Sequence, residues 1–177
     1  TTSGANKPVL TKGMIPVKWD TSKEKWVICT KNDPEWYNYN ESKNQWANVM
    51  LCDGTYNEST AIGTPVAEED LGSMFVWIPR FAYKITSGYH GSPEGEMDVK
   101  FLIGRTDKTE DGAKVVEYNA TTTSNYSKFP DGYVVHPAFK DGSSTGYSSG
   151  EWKSEVLGIW VAKFQAGVKT TDKDTSA

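Results

Sequence analysis

The chain carries one short pattern twice near its N-terminus. Trp19-Asp20-Thr21-Ser22-Lys23-Glu24-Lys25-Trp26 is the first copy, and Tyr39-Asn40-Glu41-Ser42-Lys43-Asn44-Gln45-Trp46 is the second. Each sets an aromatic, then Asp or Asn, then Ser-Lys two residues on, and a Trp seven residues after the first ring. A polar stretch bracketed by large rings reads as a loop between two strands. The duplication therefore predicts two β-hairpins, at 14–30 and 36–52. Repeated hairpins build sheets, fibres and binding surfaces, and this constrains the fold more than any other feature of the sequence.

Strands are expected at 14–19, 26–30, 36–40 and 46–52, forming a flat four-stranded meander. Ile15, Val17 and Trp19 alternate with polar neighbours and share one face. The Ser-Lys positions fall in the loops and are explained by turn chemistry. The rings of Trp19, Trp26, Trp36, Tyr39 and Trp46 have two readings. They are the cross-strand core of a small module, which needs large side chains to bury enough area, or they are a stacking platform for a ligand. Cys29 and Cys52 end the second and fourth expected strands. In a flat meander these ends lie about 9.6 Å apart, from a ~4.8 Å strand spacing, and a disulfide needs Cα atoms within about 7 Å. A Cys29–Cys52 bridge, formed if the hairpins fold over, and two buried thiols both remain open.

Downstream, 53–63 is polar and reads as a linker. Thr64-Pro65 opens a short helix, with Thr as the cap and Pro in the first turn. Glu68, Glu69 and Asp70 follow, where a helix dipole favours acidic residues. The run Met74-Phe75-Val76-Trp77-Ile78-Pro79-Arg80-Phe81-Ala82-Tyr83-Lys84-Ile85 is the most apolar of the chain, and it predicts a strand that kinks or reaches a sheet edge at Pro79. Strands at 99–104 and 113–118 are expected to be joined through the turn at Asp111-Gly112. Two more follow at 133–136, ended by Pro137, and at 157–164. The organisation expected is an extended lead-in at 1–13, a duplicated hairpin module at 14–52, a linker, a second unit at 64–167 and a polar tail at 168–177. The fold class is mainly β, with α+β open for the second unit.

Composition supports this class and excludes others. Aromatics make up 12% of the 177 residues although apolar residues total only 37%, and mean hydropathy is −0.59. A disordered chain would lack so many rings, whereas half-buried strands favour them. The net charge is −4, with Arg80 and Arg105 as the only arginines, so no basic face is expected for nucleic acid. No apolar run approaches the ~18 residues of a membrane-spanning helix.

No catalytic signature appears. There is no phosphate-binding glycine loop, no nucleophile elbow and no metalloprotease pair. His90 reads as a loop residue and His136 as a hydrogen-bonded structural histidine. Asp107 to Gly112 lacks the ligand alternation of a calcium loop and reads as a turn. Catalytic residues, metal ligands and cofactors are expected to be none. Were the chain part of an enzyme, Glu68, Glu69, Asp70 and Glu155 would be its candidate carboxylates.

Two resemblances add expectations. Ile15-Pro16-Val17-Lys18-Trp19-Asp20, Trp26-Val27, Glu35-Trp36-Tyr37 and Gln45-Trp46-Ala47-Asn48 resemble a module recurring in surface, prophage and pilin-like proteins of Gram-positive gut bacteria. Met74-Phe75-Val76-Trp77-Ile78-Pro79, His136-Pro137-Ala138-Phe139 and Leu157-Gly158-Ile159-Trp160-Val161-Ala162-Lys163-Phe164 are similar to the opening strands of the formylglycine-generating-enzyme/C-type-lectin-like fold, which also serves phage receptor-binding proteins. No position here matches that family's catalytic cysteines. The resemblance therefore implies a lectin-like architecture and extracellular display rather than oxidase activity, in a chain that is the N-terminal part of a longer protein. The expected function is a non-enzymatic structural or adhesive module of an extracellular assembly, such as a phage tail fibre or a bacterial surface filament. Its expected partners are protein subunits in a homo-oligomer and a cell-surface glycan. A carbohydrate-binding module of a cell-wall-directed protein, and an enzyme fragment, are the alternatives.

Overall fold

The computed structural model describes residues 3–39, 42, 45–89, 94–117, 129–141 and 152–164. Expectations at His90, along the glycine/serine-rich stretch 142–150 and in the tail 168–177 lie outside these residues. The chain is mainly β. Among the described residues ten strands follow one another: β1 (Met14–Asp20), β2 (Lys25–Ile28), β3 (Asn48–Leu51), β4 (Pro65–Val66), β5 (Met74–Pro79), β6 (Phe81–Ile85), β7 (Met97–Phe101), β8 (Val115–Val116), β9 (Tyr133–Val135) and β10 (Gly158–Ala162). They form a six-stranded sheet, in the order β10-β5-β3-β1-β2-β4, and a four-stranded sheet, β7-β6-β9-β8. Every pairing is antiparallel except β8 with β9.

The first hairpin forms as the pattern predicts. Trp19 pairs with Trp26 across it. The Asp20 carboxylate closes the loop by accepting from the Ser22 N–H at 2.9 Å, the Ser22 hydroxyl at 2.7 Å and the Lys23 N–H at 3.2 Å. These bonds, led by the Ser22 hydroxyl, hold the Asp20 pKa down at about 2.

The second copy does not become a hairpin of strands. Its ladder is a single bridge between Asn38 and Gln45. Trp36 sits in a turn begun by Asp33, whose side chain accepts the Glu35 N–H and whose carbonyl accepts the Trp36 N–H. The Trp36 indole is thereby directed inward, where its Nε1 donates to the Asn48 carbonyl at 2.7 Å. Nor is the sheet a meander, since β1 lies between β2 and β3. The alternation at Ile15 and Val17 explains this central place, because both are fully buried. Pro16 limits the pairing on the β2 side: it accepts from Cys29 but has no N–H to return.

One sheet spans the expected boundary. β3 pairs with β5 and β2 with β4, so 53–63 is a loop within a single sheet rather than a link between two units. The lead-in is not a free extension either. Residues 3–13 lie against the sheet: Ala5 is buried, the Tyr37 hydroxyl donates to its carbonyl, and Asn6 binds the backbone of both Gly104 and Leu157.

The helix expected at Thr64-Pro65 is instead β4 followed by a single 3-10 turn, Glu68–Asp70. The Thr64 hydroxyl donates back to the Ala61 carbonyl rather than capping anything. The strands near 97–101 and 115–116 do not pair with each other: β7 joins β6, and β8 joins β9.

The apolar run at 74–85 does break at Pro79. The chain leaves the large sheet there and enters the small one at Phe81. Arg80 occupies the junction, with its side chain wholly buried. Its guanidinium pairs with Asp107 at 2.6 Å and with Glu155, and it donates to the Phe139 carbonyl at 3.0 Å. Lys140 completes the network by pairing with Glu155 at 3.1 Å. A buried arginine is tolerated only when its charge and donors are matched in this way. The network ties the 3-10 turn Pro137–Phe139 and the residues leading into β10 to the junction.

Candidate binding cleft

The five rings nominated by the duplication do not share a surface. Trp36 and Tyr39 are core, 1% and 5% exposed, packed with Ala5, Cys29, Ala47, Val49 and Trp77. The Tyr39 hydroxyl donates to the Trp77 carbonyl at 2.8 Å, and burial raises its pKa. Trp46 stands edge-to-face on Tyr39, with centroids 4.6 Å apart, and keeps one side in solvent.

Trp19 and Trp26 lie elsewhere, on the hairpin, again edge-to-face at 5.7 Å. The Trp26 ring carries the Lys163 ammonium 5.0 Å from its centroid. Lys163 also donates to the Asn48 side chain at 2.8 Å, and burial lowers its pKa. A ring already paired with a cation is a poor stacking surface for a sugar. Trp19 at 47% and Trp46 at 37% are the open rings of the five, and they lie on different parts of the surface.

Cys29 and Cys52 are free thiols, so the disulfide alternative is not realised. They flank β1 on opposite sides, since the Cys29 N–H donates to Pro16 and the Cys52 N–H to Gly13. Burial, followed by the nearby Asp33 carboxylate, pushes the Cys29 thiol up to about 12.

The candidate carboxylates are occupied or dispersed. Glu155 is paired with Arg80 and Lys140, while Glu68–Asp70 forms the 3-10 turn ahead of β5. In the turn at 107–112, Asp107 pairs with Arg80 and Asp111 with Lys100. His136 caps the turn Pro137–Phe139 by accepting from the Ala138 N–H, and burial lowers its pKa. Among the described residues no three His, Cys, Asp or Glu side chains are placed to hold a metal ion. No helix among them is long and apolar enough to cross a membrane.

A cleft of roughly 730 Å³ lies at the other side of Trp77. Its walls are Val9 and Thr11 of the N-terminal segment, Trp160 and its neighbours on β10, and Ala138 with Trp152; Arg105 stands at its margin. That volume lies within the ~300–1,000 Å³ range of small-ligand sites.

Three indoles give the cleft its character, and each has its N–H bound to a backbone carbonyl. Trp77 donates to Asn6 at 2.9 Å, Trp160 to Val9 at 2.8 Å and Trp152 to Ala138 at 2.9 Å. The rings are thereby fixed in orientation: Trp152 is exposed, Trp160 is half-buried, and Trp77, 3% exposed, backs them from the core. Trp77 and Trp160 meet at 5.3 Å between centroids. A bridge between Asp141 and Trp152 sets the third ring, which is 47% exposed. Gly158 makes room for the floor, because a Cβ there would collide with the Trp77 indole and approach the Ile78 carbonyl at 2.6 Å.

Trp152 and Arg105 were not nominated from the sequence, and Trp77 and Trp160 stood there only as strand residues. A signal existed at Trp152, a lone indole between the charged residues Glu151 and Lys153 beside a glycine/serine-rich stretch. No protein-family model, curated protein or solved structure matches this chain.

Proposed function

We propose that the chain is a non-enzymatic adhesive module of an extracellular assembly, such as a phage tail fibre or a bacterial surface filament. In this reading it recognises a carbohydrate through the Trp77–Trp152–Trp160 cleft. The observation that carries the proposal is the set of three indoles whose N–H groups are all bound to backbone. Of these, Trp152 and the half-buried Trp160 offer rigid apolar area at little entropic cost on binding, with Trp77 as their buried backing, and the C–H face of a pyranose ring is a matching surface. The sequence resemblance to lectin-like and phage receptor-binding folds supports the extracellular setting.

A glycan array and a cell-wall pull-down, each run with wild type and Trp152→Ala, test the proposal. Retained glycans that are lost with the substituted protein are the expected result. Binding that survives Trp152→Ala unchanged removes the cleft from the reading, and no glycan or cell-wall binding at all removes the carbohydrate.

One observation favours a second reading, a subunit contact. β10 ends the large sheet with one pairing neighbour among the described residues, and Val161 and Phe164 on or beside it are exposed. Open apolar edges of this kind pair with other chains. Light scattering across a concentration series distinguishes them: a strict monomer excludes self-assembly through this edge.

A further inference from the structure

We infer that the cleft selects an acidic sugar, a pyranose bearing a carboxylate such as a hexuronate. This rests on the cleft being a glycan site and adds the class of glycan.

Among the described residues that line the cleft, Arg105 is the only ionisable one. It is exposed, and it makes no hydrogen bond or ion pair with any described residue. The contrast with Arg80 is direct, since that guanidinium is committed to Asp107, Glu155 and the Phe139 carbonyl. The same pairing engages two acidic residues close in sequence to the lining, Asp107 and Glu155. Asp107 and Glu155 are each held by Arg80 and Lys140, so neither is free to neutralise Arg105. The cleft therefore presents a cation with no partner among the described residues, although the chain as a whole carries a net charge of −4.

The ligand must suit both the cation and the indoles. Aromatic faces carry partial negative charge and repel an anion placed directly on them. A carboxylate is therefore directed to the planar fork of Arg105, which can hold it with two parallel hydrogen bonds. The indoles are left needing C–H groups. A uronic acid supplies both on one rigid ring: a C–H face for the indoles and a carboxylate at the ring margin for Arg105. An acidic peptide offers the charge on a flexible chain with no rigid apolar face beside it, and it fits the cleft less well.

Titration followed by tryptophan fluorescence and calorimetry tests this with two probes, oligogalacturonate and its methyl ester, which keeps the ring and loses the charge. Wild type is expected to bind the acid about tenfold more tightly than the ester, equivalent to about 1.4 kcal/mol. Arg105→Gln is expected to reduce the acid to the affinity of the ester. Trp152→Ala is expected to weaken both. The preference for the acid is also expected to shrink as salt is raised, because Arg105 is exposed to screening. Arg105 projects from a surface loop, so circular dichroism of Arg105→Gln should match wild type.

If acid and ester bind equally, and Arg105→Gln changes neither, the acidic preference is overturned while the glycan reading stands. If neither sugar binds and neutral glycans are also refused, both fall. Binding of polyglutamate with the same dependence on Arg105 and Trp152, in the absence of sugar binding, replaces the sugar with an acidic peptide and overturns the inference.

Discussion

Trp77 separates two aromatic regions that obey one rule and meet opposite ends. On one side Trp36 and Tyr39 are sealed beneath the N-terminal segment, while on the other Trp152 is exposed and Trp160 half-buried. In both regions the indole N–H groups are bound to backbone carbonyls: Trp36 to Asn48, Trp160 to Val9 and Trp152 to Ala138. Hydrogen bonding therefore does not distinguish a core ring from a surface ring here. The difference is what the chain lays over them. Residues 3–13 cross the sheet, and Ala5 closes the first region, while Val9 and Thr11 only border the second.

The largest test of this contrast is a pair of truncations. Trp36→Ala empties a site that is 1% exposed, and it should cost about 3–5 kcal/mol, the usual range for a buried large aromatic. It also deprives the Asn48 carbonyl of its indole donor. Trp152→Ala should cost only about 1 kcal/mol, near the value of its one hydrogen bond, while abolishing glycan binding. Chemical denaturation of both variants reads the difference. Equal losses would mean that Trp152 is core and the cleft is no binding surface.

A smaller effect is expected at the wall the two regions share. Gly158 exists so that the Trp77 indole can lie against the backbone of β10. Gly158→Ala forces that ring to shift, and overpacking of this kind costs about 1–3 kcal/mol. Because Trp77 belongs to both regions, the substitution should lower the denaturation midpoint and weaken ligand binding together. It should also alter the near-ultraviolet circular dichroism that reports the Trp77–Trp160 contact. An unchanged spectrum with unchanged affinity would refute the claim that this glycine shapes the floor of the cleft.

The sequence made the sealed side more legible than the open one, and only in part. The β class, the first hairpin and the break at Pro79 follow from local rules: alternation, a loop with Asp20 at its head, and a residue with no N–H to donate. The fate of the second copy was not local. Its spacing matches the first, and its two rings touch edge-to-face as the first pair does. Yet the turn at Asp33 directs Trp36 into a core built partly by Trp77 and Ala5, residues far away in sequence. The helix at Thr64-Pro65 failed for a similar reason, since pairing with β2 claimed Pro65 and Val66 as strand. The cleft was hidden because it joins separated stretches, around Val9, Trp77, Arg105, Ala138 and 152–160, with no shared motif. The density of rings at 19–46 identified a core, whereas the exposed surface depended on a lone Trp and a lone Arg.

The finest test of the seal uses the two thiols, since Cys29 lies in the same buried cluster as Trp36 while Cys52 is partly exposed. Alkylation under native conditions should modify Cys52 and spare Cys29, and denaturant should expose both. The intact mass should be the same with and without reductant. The linkage has a definite sign. In the unfolded chain the Cys29 thiol ionises near about 8.5, but in the fold it does not do so until about 12. A folded pKa raised above its unfolded value stabilises fully below the lower figure. That contribution erodes as pH climbs past the unfolded pKa and is lost as pH rises through the folded one. Stability should therefore decline over this alkaline window, and Cys29→Ala should flatten the decline. Rapid alkylation of Cys29 in the folded protein would show that the cover over this side opens as readily as the cleft, and the distinction between the two faces of Trp77 would collapse.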